Sequence, residues 1–468
     1  MGGNSAPTSL VDHYCYRPAD ELGVELMGVM KIWRKSETFE KESIDFQEKI
    51  ATRSGLKLSG TFLPKAIHPK FCEGRAKTGE NESMVEAKEC LFGAVEGLLE
   101  KTGISAQDVD ILICCCSIFC PTPSLTAAIV NHFKMKPSIQ SYHLGGMGCS
   151  MGVVSVNLIR DLLKAHPNSN AVLVTTETTT PAFYQGNERS RLVTNMLFRM
   201  GGAAILFSNK PKMARRAKYE LREAVRIHQG SIDAAYGCIT YSPDDKGING
   251  ISLGKDVVTE AGRGLETIIR RIAPRVLDFK EIFQYTMTEA KRKLGVDIPR
   301  YKPSFDRCLD HVLIHAGGAK VLEGLGQNLK LSEYMLKPSY DVLYHYGNVS
   351  SSTTWYTMSN VESMRGVKKG DTVMQIGVGS GVKCGVNIWK AKRDIHEVHD
   401  AWKHVHAEIG GETRRPCLSK GLFSTSTMSL MFFFVCLMVA IFMGDGQGGV
   451  DLKSQVMKMM PEGPFISS

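Results

Sequence analysis

Cys149 stands in the stretch Leu144-Gly-Gly-Met-Gly-Cys-Ser-Met-Gly152, a glycine-rich turn that runs straight into a helical pattern. A cysteine at a helix N-terminus sits at the positive end of the macrodipole, where its thiolate is favoured and its pKa falls. The flanking glycines let the chain turn sharply and let a bulky ligand approach. The chemistry on offer is nucleophilic catalysis by a thiol. A buried, inert cysteine beside glycines has the same local look.

Partners for such a thiol are expected elsewhere, and two polar clusters interrupt apolar strands in the C-terminal half. In His311-Val-Leu-Ile-His315-Ala-Gly-Gly, residues 311, 313 and 315 share one strand face, so both histidines are expected to point the same way. The second cluster is His345-Tyr-Gly-Asn348-Val-Ser-Ser-Ser. Each histidine alone is more readily a core or surface residue; the set together points to catalysis. The run Gly377-Val-Gly-Ser-Gly381 only weakly resembles a nucleotide-binding fingerprint, lacking the full spacing and a long following helix. The Asn348 sequon is read as a chance match.

The elements that must position these residues alternate between helix and strand. Leu91, Ala94, Val95, Leu98 and Leu99 recur at helical spacing between Asn81, a candidate cap, and Gly103, a stop. VDILICCCSIF is a continuous apolar run, as in a strand covered on both faces. A helix is predicted from Met151 to about Ala165, closed by His166-Pro167, and a buried strand from Ala171. A second series follows: a helix around Leu265 to Ala273 ending or kinking at Pro274, and strands from His311 and Thr372. Two series of similar size suggest a duplicated, layered α/β body. Residues 1–61 are more charged and irregular, and are expected to wrap it; residues 390–420 read as a polar stalk.

The chain has 468 residues, enough for one large body, with 43% hydrophobic and 22% charged residues, as in ordinary globular proteins. Its charge of +9 is scattered, with no dense basic block interleaved with aromatics, so nucleic acid is not an expected partner. Thirteen cysteines, three of them adjacent at 114–116, suit a reducing compartment better than a disulfide framework. Met1 to Asp20 lacks the apolar core of a signal peptide, and Ala6 stands where a myristoylation signal needs Ser or Thr. From Leu422 to Met443 no residue is charged, and as a helix the segment would span roughly 33 Å, enough to cross a bilayer. Arg414, Arg415 and Lys420 precede it, which places the large body in the cytosol.

The blocks LGGMGCSMG, HVLIHAGGAKVLEGL, HYGNVSSSTTWY and GVGSGVKCG resemble the signatures of the plant-type fatty-acid elongase condensing enzymes, the 3-ketoacyl-CoA synthases of the thiolase-like superfamily. Further similarity, as in IDFQEKIATRSGL and YQGNERSRLVTNMLFRMGGAAI, extends it over roughly residues 10 to 395. The resemblance implies an α/β, thiolase-like five-layered fold of two similar halves, to which the sequence adds one C-terminal transmembrane helix. The expected division is a wrapping segment 1–61, halves 62–230 and 231–395, a stalk 396–421, the span 422–443 and a tail 444–468. It also implies a Cys149, His315 and Asn348 site, with His228, His311 and His345 as further site residues. Gly377, Gly379, Ser380 and Gly381 would bind substrate, their backbone N–H groups joining that of Cys149 as an oxyanion hole. His315 would hold the thiolate as an ion pair, and Asn348 would donate amide hydrogens to an enolate.

The implied reaction joins malonyl-CoA to a long-chain acyl-CoA with loss of carbon dioxide. No cofactor or metal is expected, CoA thioesters being substrates. The expected partners are a second copy of the chain, elongase reductases and a dehydratase; the expected location is the endoplasmic reticulum membrane. The family usually carries two transmembrane helices before the catalytic body, which the sequence does not show, and Arg where Ala319 stands, beside Lys320. A type III polyketide-synthase-like enzyme shares the trio but lacks the flanking blocks. A degradative thiolase needs a second cysteine before the last glycine turn, whereas Cys384 follows it. A non-catalytic elongase scaffold would have no use for the trio.

Overall fold

The computed structural model describes residues 7–412. The predicted span at 422–443 lies outside them. Among the described residues no helix is long and apolar enough to cross a membrane.

Nine strands form one mixed sheet: β1 (Ser9–Tyr16), β2 (Ile111–Cys115), β3 (Gln140–Leu144), β4 (Asn170–Thr176), β5 (Gly202–Ser208), β6 (Tyr219–His228), β7 (His311–Ile314), β8 (Thr372–Gly379) and β9 (Lys383–Ala391). Their order is β7-β8-β9-β6-β1-β5-β4-β2-β3. β2, β4 and β5 are buried at every position, which is why their sequences are unbroken apolar runs rather than alternating ones.

The sheet is two similar units joined at a narrow seam. Outward from β1, the pairings with β5 and then β4 are antiparallel, and those on to β2 and β3 are parallel. Outward from β6, the pairings with β9 and then β8 are antiparallel, and that on to β7 is parallel. β1 and β6 meet through only Ser9↔Glu220 and Leu10↔Tyr219. The duplication therefore lies in strand order and direction, which residue identity does not reveal.

β1 corrects one expectation. It stands at the centre of the sheet, whereas residues 1–61 were expected to wrap the body. The helices Leu26–Ser36 and Lys41–Arg53 do pack separately, around Trp33 and Phe39.

Six longer helices matter below: α1 (Glu80–Thr102), α2 (Met151–Ala165), α3 (Val257–Val276), α4 (Phe279–Lys293), α5 (Glu333–Tyr346) and α6 (Thr353–Met364). α1 begins after Gly79 rather than at Asn81, and ends at Gly103 in the left-handed conformation, as predicted for its stop. α3 runs two residues beyond Pro274, whose missing N–H forgoes one bond, to the carbonyl four residues upstream, close to the helix end. α2 packs on β4, β6, β8 and β9, while α6 packs on β1, β7 and β8, and the two helices touch. Every residue of α6 is buried.

Candidate active site

α2 and α6 each begin with a short 3-10 turn, Gly148–Ser150 before α2 and Ser350–Ser352 before α6. The duplication thus brings two helix N-termini face to face. Cys149 belongs to one turn and Ser350 to the other, with Asn348 two residues before it. Gly152 makes the approach possible: a Cβ there would lie 1.9 Å from the Ser351 carbonyl oxygen. That glycine serves close packing, since it sits inside α2 rather than in the turn. Gly379 does the same for the 377–381 run, where a Cβ would lie 2.2 Å from the Met147 oxygen and 2.6 Å from the Ser150 nitrogen. Ser380 Oγ donates to the Gly146 oxygen at 3.3 Å, so the run wraps the nucleophile turn.

The Asn348 turn is fixed to the end of β4 by consecutive serines. Ser350 Oγ donates to Glu177 Oε2 at 3.0 Å, Ser351 Oγ to the Thr176 oxygen at 3.2 Å and Ser352 Oγ to the Thr175 oxygen at 2.8 Å. The Ser350 N–H donates to Asn348 Oδ1 at 2.9 Å, which leaves the Asn348 amide hydrogens for Cys149. Ser350 holds a left-handed φ of 51°, a strained setting for a non-glycine residue, and its Oγ lies 3.6 Å from Cys149 Sγ.

Glu177 is a site residue that the sequence did not reveal. It is buried, and one carboxylate oxygen accepts the Ser117 and Ile118 N–H groups, each at 2.9 Å. Burial raises its pKa; these hydrogen bonds oppose the shift. Ser117 Oγ in turn accepts the Gly148 N–H at 2.7 Å. A connected path therefore runs from the nucleophile turn through Ser117, Glu177 and Ser350 back to Cys149. A glutamate closing an apolar strand gave no periodic signal in the sequence.

Burial pushes the Cys149 thiol up to about 12, against the pull of hydrogen bonds from Ser350 and Asn348. The helix N-terminus predicts the reverse, a lowered thiol; burial acts in the opposite direction. Burial likewise drives His315 down to about 4, and its Nδ1 has no hydrogen-bond partner among the described residues. Burial therefore disfavours the charged form of each group, and among the described residues no hydrogen bond joins His315 to Cys149.

His315 follows the end of β7, where its backbone N–H donates to the Ile376 oxygen of β8 at 3.0 Å. His311 begins β7, four residues from His315 and so about 13 Å away along the strand, with Nε2 3.2 Å from Asp371 Oδ2. His345 lies in a separate pocket with Lys57 and His404, its ring 5.8 Å from that of Trp402. His228 is exposed at the end of β6, its Nε2 3.4 Å from where a Gly381 Cβ would stand, on the outer rim of the glycine turn. Lys320 is exposed. Cys384 is buried in β9 against α3, its thiol pushed up to about 12.

A small, mostly apolar cavity of about 20 Å³ lies near the site, lined by Leu63, Ile67, Ile118, Phe183, Phe198 and Ile251 among others. Phe198 pairs with Asn348 through a β-bridge, and the Ile118 N–H is held by Glu177, so the cavity wall is backbone-bonded to the site residues. Elsewhere His13, Glu362 and His399 come close enough to share a cation. Lys218 Nζ already lies 2.7 Å from Glu362 and Lys101 Nζ 3.1 Å from His399 Nδ1, so ammonium groups occupy that role.

Residues 4–294 match the model of the FAE1/type III polyketide synthase-like protein family, and residues 303–389 that of the chalcone and stilbene synthase C-terminal domain. The chain is 42% identical over 394 residues to 3-ketoacyl-CoA synthase 11 of Arabidopsis thaliana, covering 83% of this chain and 76% of that one. It is 40% identical over 402 residues to 3-ketoacyl-CoA synthase 9 of the same plant, covering 84% and 77%. Among solved structures it resembles the C-terminal type III polyketide synthase domain of Steely1 from Dictyostelium, at a TM-score of 0.65 and 16% identity, over 82% of this chain and 99% of that one. It also resembles 1,3,6,8-tetrahydroxynaphthalene synthase from Streptomyces coelicolor A3(2), at a TM-score of 0.59 and 19% identity, over 82% and 99%. The nine-stranded duplicated body with a cysteine and an asparagine at facing helix turns is therefore a thiolase-like, type III polyketide synthase fold, and the chain belongs to the 3-ketoacyl-CoA synthase family of condensing enzymes.

Proposed function

We propose that the chain is an acyltransferase of fatty-acid elongation, condensing malonyl-CoA with a long-chain acyl-CoA to give 3-ketoacyl-CoA, carbon dioxide and CoA. The observation that carries this reading is the meeting of Cys149 with Asn348 and Ser350 across two helix N-termini, beside an apolar cavity. The acyl chain would run along that apolar lining, which must widen to admit it.

In the first half-reaction Cys149 Sγ attacks the acyl thioester carbonyl. Its proton passes to neutral His315 and then to the departing CoA sulfur, so the thiolate exists only as the bond forms. Backbone N–H groups of Cys149 and the 377–381 turn receive the oxyanion. In the second half-reaction malonyl-CoA loses carbon dioxide, and the C–C bonding pair becomes the enolate. Neutral His315 offers one N–H and Asn348 its amide to the enolate oxygen, so no carboxylate needs neutralising and no base is consumed. The enolate carbon then attacks the acyl-Cys149 carbonyl, and Cys149 leaves as a thiolate that takes a proton from water to restore the resting thiol. His228 stands at the rim where a CoA moiety would pass. His311 and His345 act at a distance, by bracing β7 through Asp371 and α5 against Trp402.

The reading extends to the whole molecule as a five-layered body, supported by α1 on β1, β4 and β5, α3 on β6 and β9, and α2 with α6 between the two units. The uncharged segment Leu422–Met443 supports a C-terminal span in the endoplasmic reticulum membrane, with the body toward the cytosol. A homodimer and exchange of intermediates with elongase reductases and a dehydratase complete the proposal. The test is product analysis: the full chain in detergent, given malonyl-CoA and a panel of acyl-CoAs, yields 3-ketoacyl-CoA two carbons longer, and Cys149→Ala yields none. Absence of product across the panel with intact, alkylatable Cys149 rejects the reading.

A further inference from the structure

Helix α4 turns its apolar stripe away from the body. Its one buried residue is Glu281, whose carboxylate accepts the Tyr301 hydroxyl at 2.8 Å and the Ser304 N–H at 2.9 Å. At 3.6 residues per turn, Phe279, Phe283, Met287, Ala290 and the following Leu294 fall within an arc of about 80°, roughly opposite Glu281. Phe283 is 42% exposed, Met287 41% and Leu294 69%. An inward carboxylate and an outward stripe of Phe, Met and Leu reverse the ordinary polarity of a surface helix.

The charges beside the stripe are arranged to match. On the same helical projection Lys280 and Lys291 border one edge and Lys293 the other. None of the three forms an ion pair among the described residues, whereas the arginines nearby do: Arg275 with Glu223, Arg292 with Glu289 and Arg300 with Glu289. Long lysine stems can lie along apolar surface while the ammonium reaches outward. A stripe of large apolar side chains bordered on both sides by unpaired ammonium groups has the chemistry of a helix lying in a headgroup layer.

We infer that α4 is an interfacial helix that seats the catalytic body on an anionic lipid bilayer, with Phe283, Met287 and Leu294 entering the acyl boundary and Lys280, Lys291 and Lys293 meeting lipid phosphates. This contact is separate from the Leu422–Met443 segment and does not depend on it. The unpaired lysines select this occupant: they complement phosphates, and a second copy of the same helix would set lysine against lysine.

The chain's four tryptophans, Trp33, Trp355, Trp389 and Trp402, are all fully buried, so Phe283→Trp introduces a lone surface reporter. The full chain carrying Phe283→Trp is reconstituted with phosphatidylcholine–phosphatidylserine vesicles whose acyl chains are brominated. The expected result is quenching of the added emission, with the native tryptophans unaffected in the wild type, and loss of most of that quenching in Lys280→Glu/Lys291→Glu/Lys293→Glu or with phosphatidylcholine alone. Co-sedimentation reads attachment of the whole chain and quenching reads position 283, so failure of the C-terminal anchor and failure of this contact are distinguished. Unquenched emission from vesicle-bound protein overturns the inference, as does quenching indifferent to the lysines. A lipid-free blue shift that grows with protein concentration assigns the stripe to a second copy and also overturns it.

Discussion

Ser350 is the residue through which the site can be interrogated without touching the nucleophile. Its hydroxyl has one proton and two acceptors within reach, Glu177 at 3.0 Å and Cys149 at 3.6 Å, and its bond to the sulfur favours the thiolate. Ser350→Ala removes that support, so alkylation of Cys149 by iodoacetamide at pH 8 is expected to slow about tenfold, the equivalent of ~1.4 kcal/mol. An unchanged rate would show that the thiol is governed by burial alone. Asn348→Ala separates the half-reactions differently: acylation of Cys149 survives, while decarboxylation falls by about 10²–10³-fold, as for loss of one oxyanion donor. Single-turnover release of labelled carbon dioxide measures it. Cys149 and Asn348 were legible because glycine and serine clusters frame them. Glu177 was not, since it ends an apolar strand whose chemistry appears only when the Ser350 turn folds over it. His311 and His345 misled for the converse reason. For His311, strand alternation tells the face but not how far along the strand it lies from the reacting atoms; His345, expected to interrupt a strand, lies in helix α5 instead.

At the scale of elements, the site exists because two helices can start almost in contact. Gly152→Ala puts a methyl where the Ser351 carbonyl already stands, so α2 or α6 must shift. The expected cost is about 1–3 kcal/mol or more of stability, seen as a lowered denaturant midpoint, with Cys149 acylation lost even in folded protein. Retention of full activity would mean that the close approach is not required. Unbroken apolar runs made β2 and β4 readable, and helical spacing made α2 readable to its last turn. β1 was unreadable for a physical reason. Asp12 and His13 give it a charged look, yet Asp12 is held by Lys218 at 2.8 Å and Lys101 at 3.0 Å once the chain is folded. A strand whose charges are neutralised by distant lysines carries no alternation for a sequence pattern to detect.

At the scale of the molecule, two halves joined by two residue pairs of backbone need another fastening. Lys218 supplies it beside the seam, its buried Nζ lying 2.8 Å from Asp12 of β1, 2.7 Å from Glu362 of α6 and 2.8 Å from Glu397. Lys218→Met strands buried carboxylates and is expected to cost about 3–5 kcal/mol by equilibrium unfolding. A near-neutral result would place the joint in apolar packing instead. Buried histidines set the response to acid. Burial lowers His13, His311, His315 and His345 in the folded chain, the last two to about 4, while the unfolded chain titrates near 6.5. The unfolded state therefore binds more protons below that pH, and stability is lost as pH falls from about 6.5 toward 4. Thermal midpoints between pH 7.5 and 5 should decline; a flat profile would mean that these rings can be protonated in place. The duplication behind this architecture was only hinted at in the sequence, because it survives as strand order and direction rather than as repeated residues.

The central claim is that Cys149 carries the acyl group, and peptide mass spectrometry of the full chain given acyl-CoA alone tests it most directly. The account predicts an acyl thioester on the peptide containing Cys149, absent from Cys149→Ala and discharged when malonyl-CoA is added. An acyl group on another cysteine, or none on Cys149 while product still forms, would contradict it.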